Sequence, residues 1–173
     1  MPILQLQLVS EAEHTVYDNL SQAYEAEFSS LTGRMPDKLG RLSKDTELGG
    51  RVRGYLWLQD GVPIGMAAVD RQDHHSEVCD FYIIPSARRG ALGRAFAHAL
   101  FDQRRGEWLS KQIAGAEHAV HFWRRAISSY SQSDFREDPY RDRYWGIVTR
   151  MRFTTSKPVT EPSYGLLGEG NKR

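Results

Sequence analysis

Apolar residues recur along this chain with two different periods, and the places where the period changes mark out its elements. Val16, Leu20, Ala23, Tyr24, Phe28 and Leu31 fall on one face of a 3.6-residue repeat. Ser10 and Glu13 have the spacing of a capping box, and Gly33 is a natural stop, so the pattern predicts a helix from Ser10 to about Leu31. Residues 33–50 are polar and glycine-containing, which reads as a mobile loop. The runs Tyr55–Gln59 and Val62–Val69 flank Asp60-Gly61, a preferred pair for a two-residue type I′ hairpin. A polar turn, Asp70–His75, leads to a third strand at Glu77–Ile84. Helical spacing returns at Leu92, Ala95, Phe96, Ala99 and Leu100, in a helix of 92–105. Trp108–Ala114 reads as a further strand, and a helix beginning near Glu117 buries Ala119, Phe122, Trp123, Ala126 and Ile127. Residues 131–143 are polar and charged, 144–154 have the aromatic and β-branched content of a last strand, and 156–173 read as an irregular tail.

The order is helix, hairpin, strand, helix, strand, helix, strand. It predicts one α/β domain over 1–155, a mixed sheet with helices on both faces. At 173 residues the chain can bury a real core. No apolar run approaches the roughly 18 residues of a membrane span, and the first residues lack the basic and apolar regions of a secretory signal. Cys79 is the only cysteine, which fits a reducing, cytoplasmic location. The net charge of +1 argues against a general nucleic-acid binder. Charge is nonetheless uneven, because Arg88, Arg89, Arg94, Arg104 and Arg105 lie in a stretch whose only acid is Asp102. Three of those arginines sit in Ile83-Ile84-Pro-Ser-Ala-Arg88-Arg89-Gly90-Ala91-Leu92-Gly93-Arg94. A strand, a cationic glycine-containing turn and a helix start in succession bring free backbone N–H groups and a positive dipole end together, which makes an anion site suited to a phosphorylated ligand.

With those residues in place, the chain resembles the GNAT superfamily of N-acetyltransferases. The family's phosphate signature is Arg or Gln, two residues, Gly, one residue, then Gly or Ala. Arg88, Ala91 and Gly93 occupy the three fixed places, with Ala where Gly is usual and Gly90 beside it. Ala119–Trp123 resembles the family's second cofactor-side helix, with Ala116 where the family has Asn and Trp123 where it has Tyr. The resemblance covers roughly residues 52–153. It implies a mostly antiparallel acyl-CoA N-acyltransferase fold, with acetyl-CoA held by Ile83, Ile84, Arg88, Arg89, Gly90, Ala91, Leu92, Gly93 and Arg94. It further implies direct transfer to a primary amine, of a small molecule, a lysine or an N-terminus, and possible homodimers. The rival is a GNAT-like module that holds CoA without efficient catalysis, favoured by Ala91, Ala116 and Trp123.

Such a reaction needs a base to deprotonate an ammonium, donors for the oxyanion and a proton for the leaving thiolate. Counting back from Arg88, the resemblance places the general base at Glu77. Strand alternation sets Glu77 on one face with Cys79, Phe81 and Ile83, where apolar neighbours would raise its pKa. Asp80 and Tyr82, on the other face, are the next candidates. The resemblance implies oxyanion donors in the backbone near Ile83 or Ile84. Tyr130, the nearest tyrosine after the second helix, is the candidate acid in place of Trp123. Cys79 reads as a small core residue rather than a nucleophile, and the histidines suggest no metal site, since His118 and His121 lack a third ligand. Tyr140, Tyr144 and Trp145 are candidates for an acceptor pocket. Charges for a cationic acceptor are available from Glu25, Glu27, Asp37, Asp45, Glu47, Asp134, Glu137 and Asp138.

Overall fold

The computed structural model describes residues 1–156; all but the first residue of the expected 156–173 tail lies outside the described residues. Seven strands form one sheet in the order β1-β2-β3-β4-β5-β7-β6. They are β1 (Leu4–Leu8), β2 (Val52–Gln59), β3 (Val62–Arg71), β4 (His75–Ile83), β5 (Gly106–Gln112), β6 (Arg136–Asp142) and β7 (Gly146–Thr155). Every neighbouring pair is antiparallel except β4 and β5, which are joined by a helical crossover.

Helices cover both faces. Helix α1 (His14–Thr32) packs Tyr17, Val16, Leu20, Ala23 and Tyr24 on the Leu56, Leu58, Met66 and Tyr82 side. Helices α2 (Leu92–Phe101) and α3 (Glu117–Ser131) close the other, larger core, where Phe96, Phe101, Trp108, Trp123 and Phe153 are buried. The predicted α/β class and mixed, mostly antiparallel sheet are thus what the chain forms.

Local chemistry explains most boundaries. The Ser10 amide donates to Glu13 at 2.8 Å and the two side chains bond, which is the expected capping box, although its first turn is 3-10 and α1 starts at His14. Gly33 ends α1 in the left-handed region at φ +69°. Asp60 and Gly61 both have positive φ, +50° and +79°, as a type I′ turn requires.

Two strands depart from the expectation. The alternating Leu4-Gln5-Leu6-Gln7-Leu8 pairs with β2 as an edge strand, and the charged segment 136–142 forms β6 at the opposite edge. Pro139 and the charges of β6 belong to an edge that resists further pairing. Residues 33–48 form no helix or strand, yet they are tied to α1 rather than loose. Gln22 exchanges two bonds of 2.9 Å with the Leu42 backbone, and Asp18 holds Arg41 and Lys44 at 2.6 Å each. No described helix is long and apolar enough to cross a membrane.

Candidate active site

The sheet opens along its one parallel pair. Residues 75–78 of β4 pair with 107–110 of β5, and the pairing then ends although β4 continues to Ile83 and β5 to Gln112. The cause of the altered geometry in β4 is visible in its other neighbour. Val69 pairs with Val78 and Ala68 with Asp80, so Cys79 is an extra, bulged residue. A bulge reverses the alternation beyond it. Val78, Phe81 and Ile83 therefore all join the core under α2 and α3, whereas Glu77, Asp80 and Tyr82 share the α1 face. This corrects the predicted grouping of Glu77 with Phe81 and Ile83.

Two cavities meet at the opening. The first, about 440 Å³, lies between α1, β4, β5 and the β6–β7 turn. Five carboxylates line it, from Glu25, Asp45, Glu77, Asp80 and Asp142, against the single cation of Lys111. Lys111 is already committed, with its Nζ 2.9 Å from Glu77 and 2.7 Å from Asp142. Burial would raise the Asp142 carboxyl, but the Lys111 bond and the amides of Trp145 and Tyr144 hold it at about 2. Behind the wall, Arg34 donates to Asp45 at 2.7 Å, lies 3.7 Å from Glu25 and sits over the Trp145 ring.

Asp80 and Glu25 behave differently from the paired acids. Burial, only partly offset by a Thr46 hydrogen bond, pushes Asp80 up to about 6. Burial, followed by the charge of Asp80, pushes Glu25 up to about 7 despite Arg34. Both are placed to exchange protons near neutrality. Glu77 also lines this cavity, but its carboxylate is engaged by Lys111. Cys79 is raised to about 12, first by burial and then by Glu77 and Asp80, so it stays a thiol.

The second cavity, about 460 Å³, is an apolar cleft between the starts of α2 and α3, walled by Phe28, Phe81, Ile83, Phe122 and Trp123. Among the described residues neither helix start has a side-chain cap, so the amides of both first turns remain available. Ala91 adopts φ −94°, which costs an alanine nothing, and the left-handed conformation falls on Gly90 at +88°. At Gly93 a Cβ would stand 3.1 Å from Phe122, so the glycine lets α2 approach α3 closely.

The predicted cofactor residues divide. Arg89 and Arg94 are exposed and form no ion pair among the described residues, which leaves two cations at the mouth of the turn. Arg88 is occupied: it donates to the Ile83 carbonyl at 2.8 Å, pairs with Glu27 at 2.7 Å and lies over the Tyr82 ring at 5.4 Å. Gly90, Ala91 and Leu92 form the turn and first helical residue as predicted. The Ile84 amide donates to Ile64 at 3.0 Å, so it cannot serve an oxyanion. Antiparallel alternation then turns the N–H groups of Phe81 and Ile83 away from β3, toward the opening.

Tyr130 is not brought to either cavity. It is buried behind α3, donates to Asp102 at 2.7 Å, contacts Thr155 at 3.3 Å and packs edge-on against Phe101 and Phe153. The reason is helical rise, since Tyr130 lies about two turns beyond Trp123, roughly 10 Å along α3.

Of the remaining candidates, Tyr144 and Trp145 line the first cavity while Tyr140 instead stacks under Arg150 at 4.2 Å. Glu25 and Asp45 reach the cavity, but Glu27 goes to Arg88 and Asp37 caps its own turn. Glu47 lines a smaller cavity, while Glu137 and Asp138 pair with Arg124 and Arg150. Asp142 and Lys111 were not foreseen. The Asp142-x-Tyr144-Trp145 turn, in which the aspartate accepts the two following amides at 2.9 and 3.1 Å, carried a recognisable Asx-turn signal.

Comparison with known proteins identifies the fold. The model of the acetyltransferase (GNAT) family matches residues 14–127. No curated protein matches the sequence. Among solved structures, the ribosomal-protein-S18-alanine N-acetyltransferase from Escherichia coli is 14% identical with a TM-score of 0.57, covering 93% of this chain and 97% of its own. An aminoglycoside acetyltransferase in complex with coenzyme A and kanamycin is likewise 14% identical, with a TM-score of 0.59 over 88% of this chain and 95% of its own. A Bacillus subtilis acetyltransferase in complex with CoA is 8% identical, with a TM-score of 0.57 over 88% of this chain and 99% of its own.

Proposed function

The chain belongs to the acetyltransferase (GNAT) family, and we propose that it transfers an acetyl group from acetyl-CoA directly to a primary amine of a small cationic molecule. The observation that carries this reading is the meeting of an acid-lined cavity and an apolar cleft at the opening between β4 and β5. The cleft suits acetyl-CoA. Its uncapped helix starts and the close approach at Gly93 offer amides to a pyrophosphate, and Arg89 and Arg94 of the adjoining turn, in no ion pair among the described residues, offer charge. Its hydrocarbon walls suit an extended, weakly polar arm, and the reacting carbonyl would then lie where Phe81 and Ile83 present N–H groups.

On the opposite side, Glu25, Asp45 and Asp80 attract an ammonium and hold it. Asp80 is the base in this account rather than Glu77. A carboxyl titrating at about 6 is ionised at neutral pH and accepts a proton better than one with an ordinary pKa. Glu77, paired with Lys111, positions the β5 edge of the cavity. As the amine nitrogen attacks the thioester carbonyl, the oxygen gains charge beside the backbone N–H groups. Nothing in this scheme needs a covalent enzyme intermediate, consistent with the protonated thiol of Cys79.

The rival reading, a CoA-holding module with little turnover, draws on Arg88, whose guanidinium is paired with Glu27 rather than facing the cleft unpaired. A titration with acetyl-CoA followed by an amine panel separates the two. Micromolar binding with CoA release on adding cationic amines supports the transferase. Binding without release supports the module.

A further inference from the structure

Seven residues line both cavities and so surround the place where a thioester would be broken. Phe28, Leu31, Phe81, Ala116 and Ala119 offer only hydrocarbon there, and Trp123 offers an indole N–H that donates a hydrogen bond without giving up its proton. The seventh is Tyr24 of α1. Its ring is fixed, stacked on Phe28 at 5.5 Å with an interplanar angle of 12° and set edge-on to Tyr82 at 6.3 Å. Its hydroxyl, close enough to feel the charges of Asp80 and Glu25, has no hydrogen-bond partner among the described residues. A rigid phenol with an uncommitted O–H, at the junction of a donor cleft and an acceptor cavity, has the placement a leaving thiolate requires.

We propose that Tyr24 is the catalytic proton donor to the CoA sulfur, supplied from α1 in the absence of a tyrosine on the cavity-facing part of α3. This rests on the acetyl-CoA reading given above. The proton balance is complete without another co-reactant. The acceptor ammonium loses one proton to Asp80, and its nitrogen attacks the carbonyl carbon. The C–S bond breaks with its electron pair on sulfur, which takes the phenolic proton of Tyr24. The second nitrogen proton, lost as the amide forms, restores the phenol. Asp80 releases its proton to solvent, so the sum is amide, thiol and one proton. Burial, and then the charges of Asp80, Glu25 and Asp45, push Tyr24 well above the ordinary tyrosine range, so it remains a phenol between turnovers.

The test compares the full wild-type chain with Tyr24→Phe, which keeps the ring and its stacking. Each is titrated at pH 9 with CoA and with desulfo-CoA, which lacks the sulfur. Wild type should bind CoA roughly 10-fold more tightly than desulfo-CoA, the gain of a hydrogen bond to an ionised sulfur. Tyr24→Phe should lose that preference while binding desulfo-CoA as wild type does, which also shows that the variant is folded. In turnover, Tyr24→Phe should slow acetyl-CoA about 100-fold and slow the selenium analogue much less, because a selenolate leaves without a proton. An unchanged CoA preference in the variant, or equal slowing with both donors, removes Tyr24 from the role and leaves the acetyl-CoA reading standing. Failure of wild type to bind either ligand overturns that reading and this inference together.

Discussion

The two cavities that meet where β4 and β5 part are alike in size and unlike in lining. One presents five carboxylates with its lysine already paired; the other is walled mainly by aromatic and aliphatic side chains, and the arginine that lines it, Arg88, is paired with Glu27. In the proposed reaction, the opening in the sheet lets a cationic acceptor come from the acid-lined side and acetyl-CoA from the apolar side. The difference also shows in how each side is held. The acid-lined side is cross-linked by Lys111 and Arg34, whereas the cleft is shaped by close packing, with Gly93 against Phe122.

The largest effect should come from Asp80, a carboxylate in no ion pair among the described residues. Asp80→Asn should lower kcat/KM by about 100-fold or more with acetyl-CoA binding unchanged, as steady-state kinetics and titration would show. The pH profile has a definite sign. With Asp80 titrating at about 6, kcat/KM should fall as pH drops below 6, because the protonated carboxyl accepts nothing, and Asp80→Asn should erase that limb. On the other side, replacing Arg89 and Arg94 together by Ala should raise the Kd for acetyl-CoA roughly 10-fold at low salt and less at high salt. The same double variant should leave the acceptor KM unchanged, and a shift in both would mean that the two sides are not separate.

The remaining effects concern stability. Glu25 is raised from 4.5 to about 7 in the folded chain, so its favourable contribution belongs to low pH and is lost as pH rises through 7. Glu25→Gln should therefore stabilise by on the order of 1 kcal/mol at pH 8.5, roughly 3 °C in Tm, and by nothing at pH 4. Its long 3.7 Å contact with Arg34 is too weak to reverse that sign. Gly65 adds a packing control independent of charge. A Cβ there would meet the Tyr82 carbonyl at 2.6 Å, so Gly65→Ala should destabilise by about 2 kcal/mol at any pH.

How much of this was legible follows from which signals are local. The hairpin at Asp60-Gly61, the capping box at Ser10 and the cationic turn before α2 are short-range patterns, and each lies where the sequence places it. The leucines of β1 alternate with period two and were readable as a strand, but five residues carry little weight alone. Strand β6 gives no apolar signal, because Pro139 and its charges face solvent at an edge. The bulge at Cys79 is the costly omission. Glu77–Ile83 contains no glycine to announce it, and one extra residue moves Phe81 and Ile83 off the face of Glu77 and leaves Asp80 and Tyr82 on it. Tyr24 was readable only as part of an apolar stripe, since its second role depends on what the sheet brings opposite.

Charge sorting at the opening is tested most directly by CoA release from acetyl-CoA with two amines of similar size, 1,4-diaminobutane and butylamine, at pH 7.5. Wild type should prefer the dication by about 10-fold or more in kcat/KM, the worth of one additional ammonium among these carboxylates, and the preference should shrink in Glu25→Gln. Equal use of both amines, or transfer to neither, would contradict the account.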